Sequence, residues 1–164
     1  GSTALPLEAD AWVNGTALTD ADLKGKVTLL DFWAMWCRPC IRTFPHLRRW
    51  QQKYRSQGLE IIGVTQYYKY GWDERRRRPV RMRSLTPQKE QAGLLQFAKH
   101  HRLSHRLMVL PQGSTFSKKY QAKAIPQVVL IDRKGKVRLV KVGAGAQVTL
   151  AVESKIIELL KENP

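Results

Sequence analysis

Two kinds of apolar pattern alternate along the first third of the chain. Val27 to Phe32 is a short, mostly apolar run rich in strand formers, and it reads as a buried strand. From Cys40 to about Gln57, Ile41, Phe44, Leu47, Trp50 and Tyr54 recur at three- and four-residue spacing, which turns one face of a helix inward until Gly58 stops it. Pro45 lacks an amide hydrogen and crowds the preceding turn, so a kink is expected there. Leu59 to Thr65 is the next buried strand, and the strand, helix, strand order predicts a right-handed parallel unit.

Tyr67 to Arg83 breaks this rhythm, with Tyr67, Tyr68, Tyr70 and Trp72 preceding Arg75 to Arg78, Arg81 and Arg83; it reads as an exposed insertion spanning about 67–85. Thr86-Pro87 followed by Glu90 has the chemistry of a helix start, and the helix is expected to run through Leu94, Leu95, Phe97 and Ala98 to about His101. Arg106 to Leu110 predicts a short strand and Ser114 to Tyr120 a short helix. After Ile125-Pro126, the segments Gln127 to Ile131 and Lys136 to Val142 alternate around Asp132-Arg133-Lys134-Gly135, a hairpin signal. Val148 to Leu160 is an amphipathic helix, and no repeat or low-complexity linker interrupts the chain.

Composition fits one domain over residues 1–164: 43% hydrophobic and 9% aromatic residues supply one core. No apolar run approaches the roughly 20 residues of a spanning helix, and the first residues lack the pattern of a secretion signal, so a soluble chain is expected. Gly1-Ser2 resembles the remnant of a removed tag, so a signal or anchor ahead of Thr3 is expected to have been cut away. With 29 basic against 13 acidic residues the net charge is +16, which favours acidic partners, anionic membranes or nucleic acid.

The only cysteines, Cys37 and Cys40, stand three apart in Trp36-Cys37-Arg38-Pro39-Cys40. At the start of a helix that spacing sets them about one turn apart, close enough for a reversible disulfide. Cys37 would meet the unpaired amides and positive dipole end of the helix, with the cation of Arg38 nearby, so its thiolate forms at lower pH than that of a free cysteine. Cys40, a turn deeper, keeps its proton longer and acts second. A zinc half-site lacks a second cysteine pair, with His46 the only nearby histidine. An inert staple over four residues would close too little chain entropy to be useful.

Asp31-Phe32-Trp33-Ala34-Met35-Trp36-Cys37-Arg38-Pro39-Cys40 resembles the active-site segment of thioredoxins. Pro45 occupies the place of that family's helix-kinking proline, and Ile125-Pro126 resembles its cis-proline loop. The opening Trp12-Val13-Asn14-Gly15, the lead-in Asp22-Leu23-Lys24-Gly25-Lys26 and the long segment before Pro126 are more similar to the bacterial TlpA/ResA/CcmG branch of extracytoplasmic, often membrane-tethered reductants. The likeness covers about residues 10–66 and 94–162.

The resemblance implies an α/β thioredoxin fold, a central mixed sheet with helices on both faces. It makes Cys37 the nucleophile, Cys40 the resolving thiol and Asp31 a buried acid that takes a proton from Cys40. It makes Pro126 cis, with the backbone of Ile125 pairing with an extended substrate, and places Trp36, Arg38 and Pro39 at the docking surface and Trp33 in the core. The implied activity is reduction of disulfides in partner proteins in an extracytoplasmic compartment, by a monomer recharged by a membrane or soluble thiol donor. No cofactor is implied beyond the Cys37–Cys40 disulfide, and no metal. Two departures stand out: Thr43 where many tethered reductants carry Glu, and Arg38-Pro39 in place of Gly-Pro, whose added cation shifts the couple toward an oxidant.

An oxidase or isomerase on the same scaffold is therefore one rival. The other is a binding module whose basic insertion docks a partner while the cysteines are vestigial. A peroxidase is disfavoured by the paired cysteines. The six arginines of the insertion, beside aromatics, read as a surface for an acidic protein or a membrane more readily than for nucleic acid, since no nucleic-acid motif accompanies them. His100, His101 and His105 read as surface histidines after a helix rather than as metal ligands.

Overall fold

The computed structural model describes residues 1–164. Its main sheet is built on β2 (Val27–Phe32), the apolar run before the cysteines, which pairs in parallel with β3 (Leu59–Thr65) and antiparallel with β7 (Gln127–Ile131). All residues of these three strands are buried, as continuous rather than alternating apolar runs require. β6 (Arg106–Val109) adds in parallel to β3, and β8 (Val137–Val142) adds antiparallel to β7 across the predicted hairpin. One edge is a strand the sequence pattern did not signal: β1 (Ala11–Val13) pairs antiparallel with β6, too short to show a period of two. The strand order is β1-β6-β3-β2-β7-β8.

The helix after the cysteines, α1 (Arg38–Tyr54), starts two residues earlier than its apolar face implies, because Cys37 caps it and Arg38-Pro39 form its first turn. It continues through Pro45. α2 (Pro87–His100) begins at the expected Thr86 cap, whose side chain accepts from the Lys89 amide. A short α3 (Phe116–Lys119) and the closing α4 (Ala146–Leu160) complete the set. Helices cover both faces, but unequally. Phe44 and Leu47 of α1, Leu94 and Phe97 of α2, and Val152 and Ile156 of α4 share one core with Leu29, Ile61 and Leu130 of the sheet. The opposite face, with Leu30, Ile62 and Val129, is covered by Phe116 of α3 and the N-terminal Leu5 and Leu7.

Phe97 ties the first core together. It is fully buried, stacks on Trp33 at 5.3 Å and meets Phe44 edge-on at 5.9 Å. Phe97→Ala leaves a cavity at the junction of α1, α2 and β2, and denaturant unfolding is expected to show a loss of about 3–5 kcal/mol.

The insertion is not simply an exposed loop. Tyr70–Asp73 (β4) and Arg78–Arg81 (β5) form a separate two-stranded antiparallel hairpin. Its aromatic half is half-buried: Tyr67, Tyr68, Tyr70 and Trp72 pack against the first core, while the turn and the arginines of β5 and just beyond it stand in solvent. Gly93 lets α2 approach this closely, since a Cβ there would lie 3.2 Å from the Trp72 amide nitrogen. The buried Glu90 then accepts the Lys69 and Tyr70 amides at 3.0 and 3.4 Å.

Candidate active site

The site forms where β2 ends and α1 begins. Cys37 and Cys40 are joined by a disulfide across a Cα–Cα distance of 5.3 Å. Cys37 is the helix cap, with its Sγ accepting from the Cys40 amide at 3.2 Å, so one otherwise orphaned helix amide is spent on sulfur. The same sulfur lies 4.0 Å from the carbonyl oxygen of Ile125. Cys40 is fully buried, while Cys37 keeps 4% exposure, so what access remains belongs to the first cysteine.

The Ile125–Pro126 peptide is cis, and Pro126 is buried beside the half-buried Ile125. Trp36, 43% exposed, is the largest open apolar surface at the site, and its ring meets Tyr68 edge-on at 5.4 Å and Tyr70 at 6.4 Å. Pro39 is half-buried in the first turn of α1. Arg38 is exposed and has no ion-pair or hydrogen-bond partner, so its charge acts on the sulfur through solvent. Thr43 donates its hydroxyl to the Cys40 carbonyl at 2.7 Å, and is therefore part of the helix's own bonding.

Asp31 stands one residue before the end of β2, on the face that also carries Leu29 and Trp33 and is covered by α1. It is 1% exposed, its Oδ2 has no hydrogen-bond partner, and burial raises its pKa to about 8. It therefore does not point to solvent at a strand end. Its partner in the parallel ladder is Gly63, so no side chain from β3 neutralises it.

That glycine leaves room for two residues the sequence did not single out together. A Cβ at Gly63 would lie 2.9 Å from Trp33 Nε1 and 3.2 Å from His105 Nε2, and neither nitrogen has a hydrogen-bond partner. His105 is not a surface histidine. It is completely buried, and burial lowers its pKa to about 4, so it is neutral at pH 7. α2 ends at His100, so His101 and His105 do not share a helical face. Leu107 and Val109 face the same core as Trp33, but Met108 between them is equally buried, so no alternation in the sequence marks the face of His105.

The geometry thus gathers Cys37, Trp36, Arg38, Pro39 and Ile125 around one site, with Cys40 and Pro126 buried beneath it and Asp31 buried in the strand that leads into it. A cavity of about 610 Å³ lies elsewhere, lined by Leu5, Leu23, Leu30 and Ile131 on the opposite face of the sheet.

The Redoxin family model matches residues 1–153. The chain is 28% identical over 149 residues to the thiol-disulfide oxidoreductase ResA of Halalkalibacterium halodurans, covering 91% of this chain and 70% of that protein. It is 31% identical over 138 residues to the protein DipZ of Mycobacterium tuberculosis, 82% of this chain but 17% of that protein. The matches span only part of the curated relatives: 29% of the ResA of Bacillus subtilis, over 52 residues, and 17% of the DipZ proteins. Among solved structures, a putative thiol:disulfide interchange protein DsbE from Chlorobium tepidum superposes with a TM-score of 0.71 at 28% identity, covering 98% of this chain and 96% of that one. The fold is thioredoxin-like, and with a match over nearly its whole length the chain belongs to the Redoxin family.

Proposed function

We propose that this chain is a thiol:disulfide oxidoreductase that reduces disulfides of partner proteins. One observation carries the reading: the two cysteines share the first turn of α1 with unequal access, Cys37 against the Ile125 carbonyl and Cys40 sealed beneath it.

In the reduced protein the Cys37 thiolate attacks one sulfur of a partner disulfide. A Cys37–partner disulfide forms, the partner's S–S bond breaks, and its other sulfur leaves as a thiolate. Asp31 in its ionised form, which a pKa of about 8 leaves as a minor fraction at pH 7, takes the proton of Cys40 directly or through water, and the Cys40 thiolate attacks the Cys37 sulfur. The Cys37–Cys40 bond forms and the second partner thiolate departs, so two electrons have passed to the partner. A thiol donor, membrane-borne or soluble, reverses the exchange at Cys37 and restores the dithiol. Nothing beyond the two sulfurs need carry the electrons.

Substrate backbone pairs with Ile125 beside the cis-proline, and Trp36 and Pro39 form the rim of the docking surface. On its resemblance to tethered reductants we assign the chain to an extracytoplasmic compartment, as a monomer. No helix is long and apolar enough to cross a membrane.

The test is alkylation of the reduced protein as a function of pH. One fast thiol titrating well below about 8.5, lost in Cys37→Ser, is expected; two thiols with ordinary titration would remove the assignment. Arg38 favours a second reading, a disulfide oxidase. Its exposure weakens that reading, because solvent screens the charge. Equilibration with glutathione decides between them through the reduction potential.

A further inference from the structure

The hairpin β4–β5 plays no part in the exchange chemistry, yet its charges are left unused by the fold. Its two acids are engaged: Asp73 accepts the Arg75 and Arg76 amides and faces Arg76 Nε at 4.0 Å, while Glu74 accepts from Trp72 Nε1 at 3.0 Å and Gln96 at 3.5 Å. Arg75, Arg77, Arg78, Arg81 and Arg83 are exposed and have neither an ion-pair nor a side-chain hydrogen-bond partner. A solvated loop would hold such charges on a mobile chain. Here Glu90 and Trp72 hold the hairpin against α2, so the backbone that carries the arginines has a defined place beside the site.

The array is also joined to the redox centre. Trp36, adjacent to Cys37, packs on Tyr70, the first residue of β4, and Tyr70 pairs across the hairpin with Arg81. From Tyr70 to Asp73 the strand runs roughly 10 Å. An extended chain with its cysteine at Cys37 therefore passes Trp36 and Arg81 within a few residues and meets Arg78 and the turn a few residues later.

We infer that the hairpin is a docking surface for an acidic segment flanking the disulfide of a polypeptide substrate. This rests on the exchange activity proposed above and names its substrate class. The occupant is a polypeptide because one chain can engage Cys37 and the arginines together. A bilayer would need an apolar face to insert, and Met82 is the only large apolar side chain exposed beside β5. Uncompensated arginines steer and hold carboxylates, with an effect that salt removes.

The experiment compares two synthetic peptides that differ only in a stretch of four Glu or four Gln placed several residues from a cysteine. Docking is read first, without chemistry, by fluorescence anisotropy on versions carrying Ser for Cys. The acidic peptide is expected to bind the oxidised protein at least about tenfold more tightly at low ionic strength, the preference vanishing near 0.5 M salt. It should fall to near unity in Arg75→Ser/Arg78→Ser/Arg81→Ser, and return when the three are Lys.

Exchange is read next, with each peptide as a mixed disulfide: the acidic one should react faster, while bis(2-hydroxyethyl) disulfide, too small to reach the hairpin, reacts with parent and variant alike. Equal binding of the two peptides would overturn the inference. So would arginine-dependent binding only to phosphatidylserine vesicles or to a single-stranded oligonucleotide. Failure to reduce any disulfide, bis(2-hydroxyethyl) disulfide included, would instead sink the exchange activity.

Discussion

Cys37→Ser is expected to abolish disulfide exchange, lowering the rate with protein disulfides by about 10³-fold or more, because a hydroxyl neither ionises near neutral pH nor attacks sulfur as a thiolate does. Cys40→Ser should behave differently. The first step survives and the second is lost, so the Cys37–partner disulfide accumulates. Mass spectrometry of the reduced variant mixed with a disulfide-bonded substrate would show one adduct per chain. The asymmetry follows from the burial of the pair: Cys40 is fully sealed and cannot replace its neighbour as the attacking group. An equal loss in both variants with no trapped adduct would contradict the assigned order, and undiminished partner binding and phenotype in Cys37→Ser would favour the binding-module reading.

The second large effect concerns Asp31. Its carboxyl titrates near 3.8 in an unfolded chain and at about 8 in the fold, where burial disfavours the anion and no cation offsets it. A folded pKa above the unfolded one means that the folded state holds its proton more tightly between these values. The stabilising contribution is full below about pH 4 and is lost as pH rises to about 8, at about 1.4 kcal/mol per pH unit through that window. By pH 7 the loss amounts to about 4 kcal/mol. Asp31→Asn removes the titration and is expected to make the oxidised protein more stable at pH 7, by about 2–4 kcal/mol once the buried amide's own lack of partners is allowed for. The gain should shrink toward pH 4. Denaturant unfolding of both proteins from pH 4 to 8 measures it, and parallel stability curves would show that the carboxyl is not held neutral.

The same substitution should slow resolution of the mixed disulfide by about 10²-fold, since Cys40 loses its proton acceptor. The attack of Cys37 on the partner should change little. A variant that is more stable and yet arrested at the second step would separate the acid's catalytic use from any packing role. Thr43 cannot replace it, with its hydroxyl committed to the Cys40 carbonyl.

Much of this site was legible in the chain itself. Cys37 and Cys40 are neighbours on one turn, and a helix start followed by Ile41, Phe44 and Leu47 at helical spacing needs no distant partner to be recognised. The buried strands Val27–Phe32 and Leu59–Thr65 were equally plain, because strands covered on both faces read as mostly apolar runs. Less was visible in Tyr67 to Arg83, where aromatics and arginines mix without a period. Whether Trp72 lies in solvent or on Phe97 depends on α2, which arrives later in the chain and opens a place for the hairpin at Gly93. His105 was misjudged for a related reason: it precedes a strand of four residues, too short for alternation to declare its face.

What the sequence alone determined is therefore local: the paired sulfurs at a helix start, the acid in the preceding strand, the turns and caps. These depend on residues within a few positions of one another, where spacing dictates geometry. Tertiary structure alone decided that Gly63 faces Asp31 and leaves it without a cation, that Ile125 stands beside Cys37, and that the arginine-bearing hairpin packs against α2. Each brings together residues far apart in the chain, and burial, which sets the ionisation of Asp31 and His105, exists only once the sheet and the helices have closed over them.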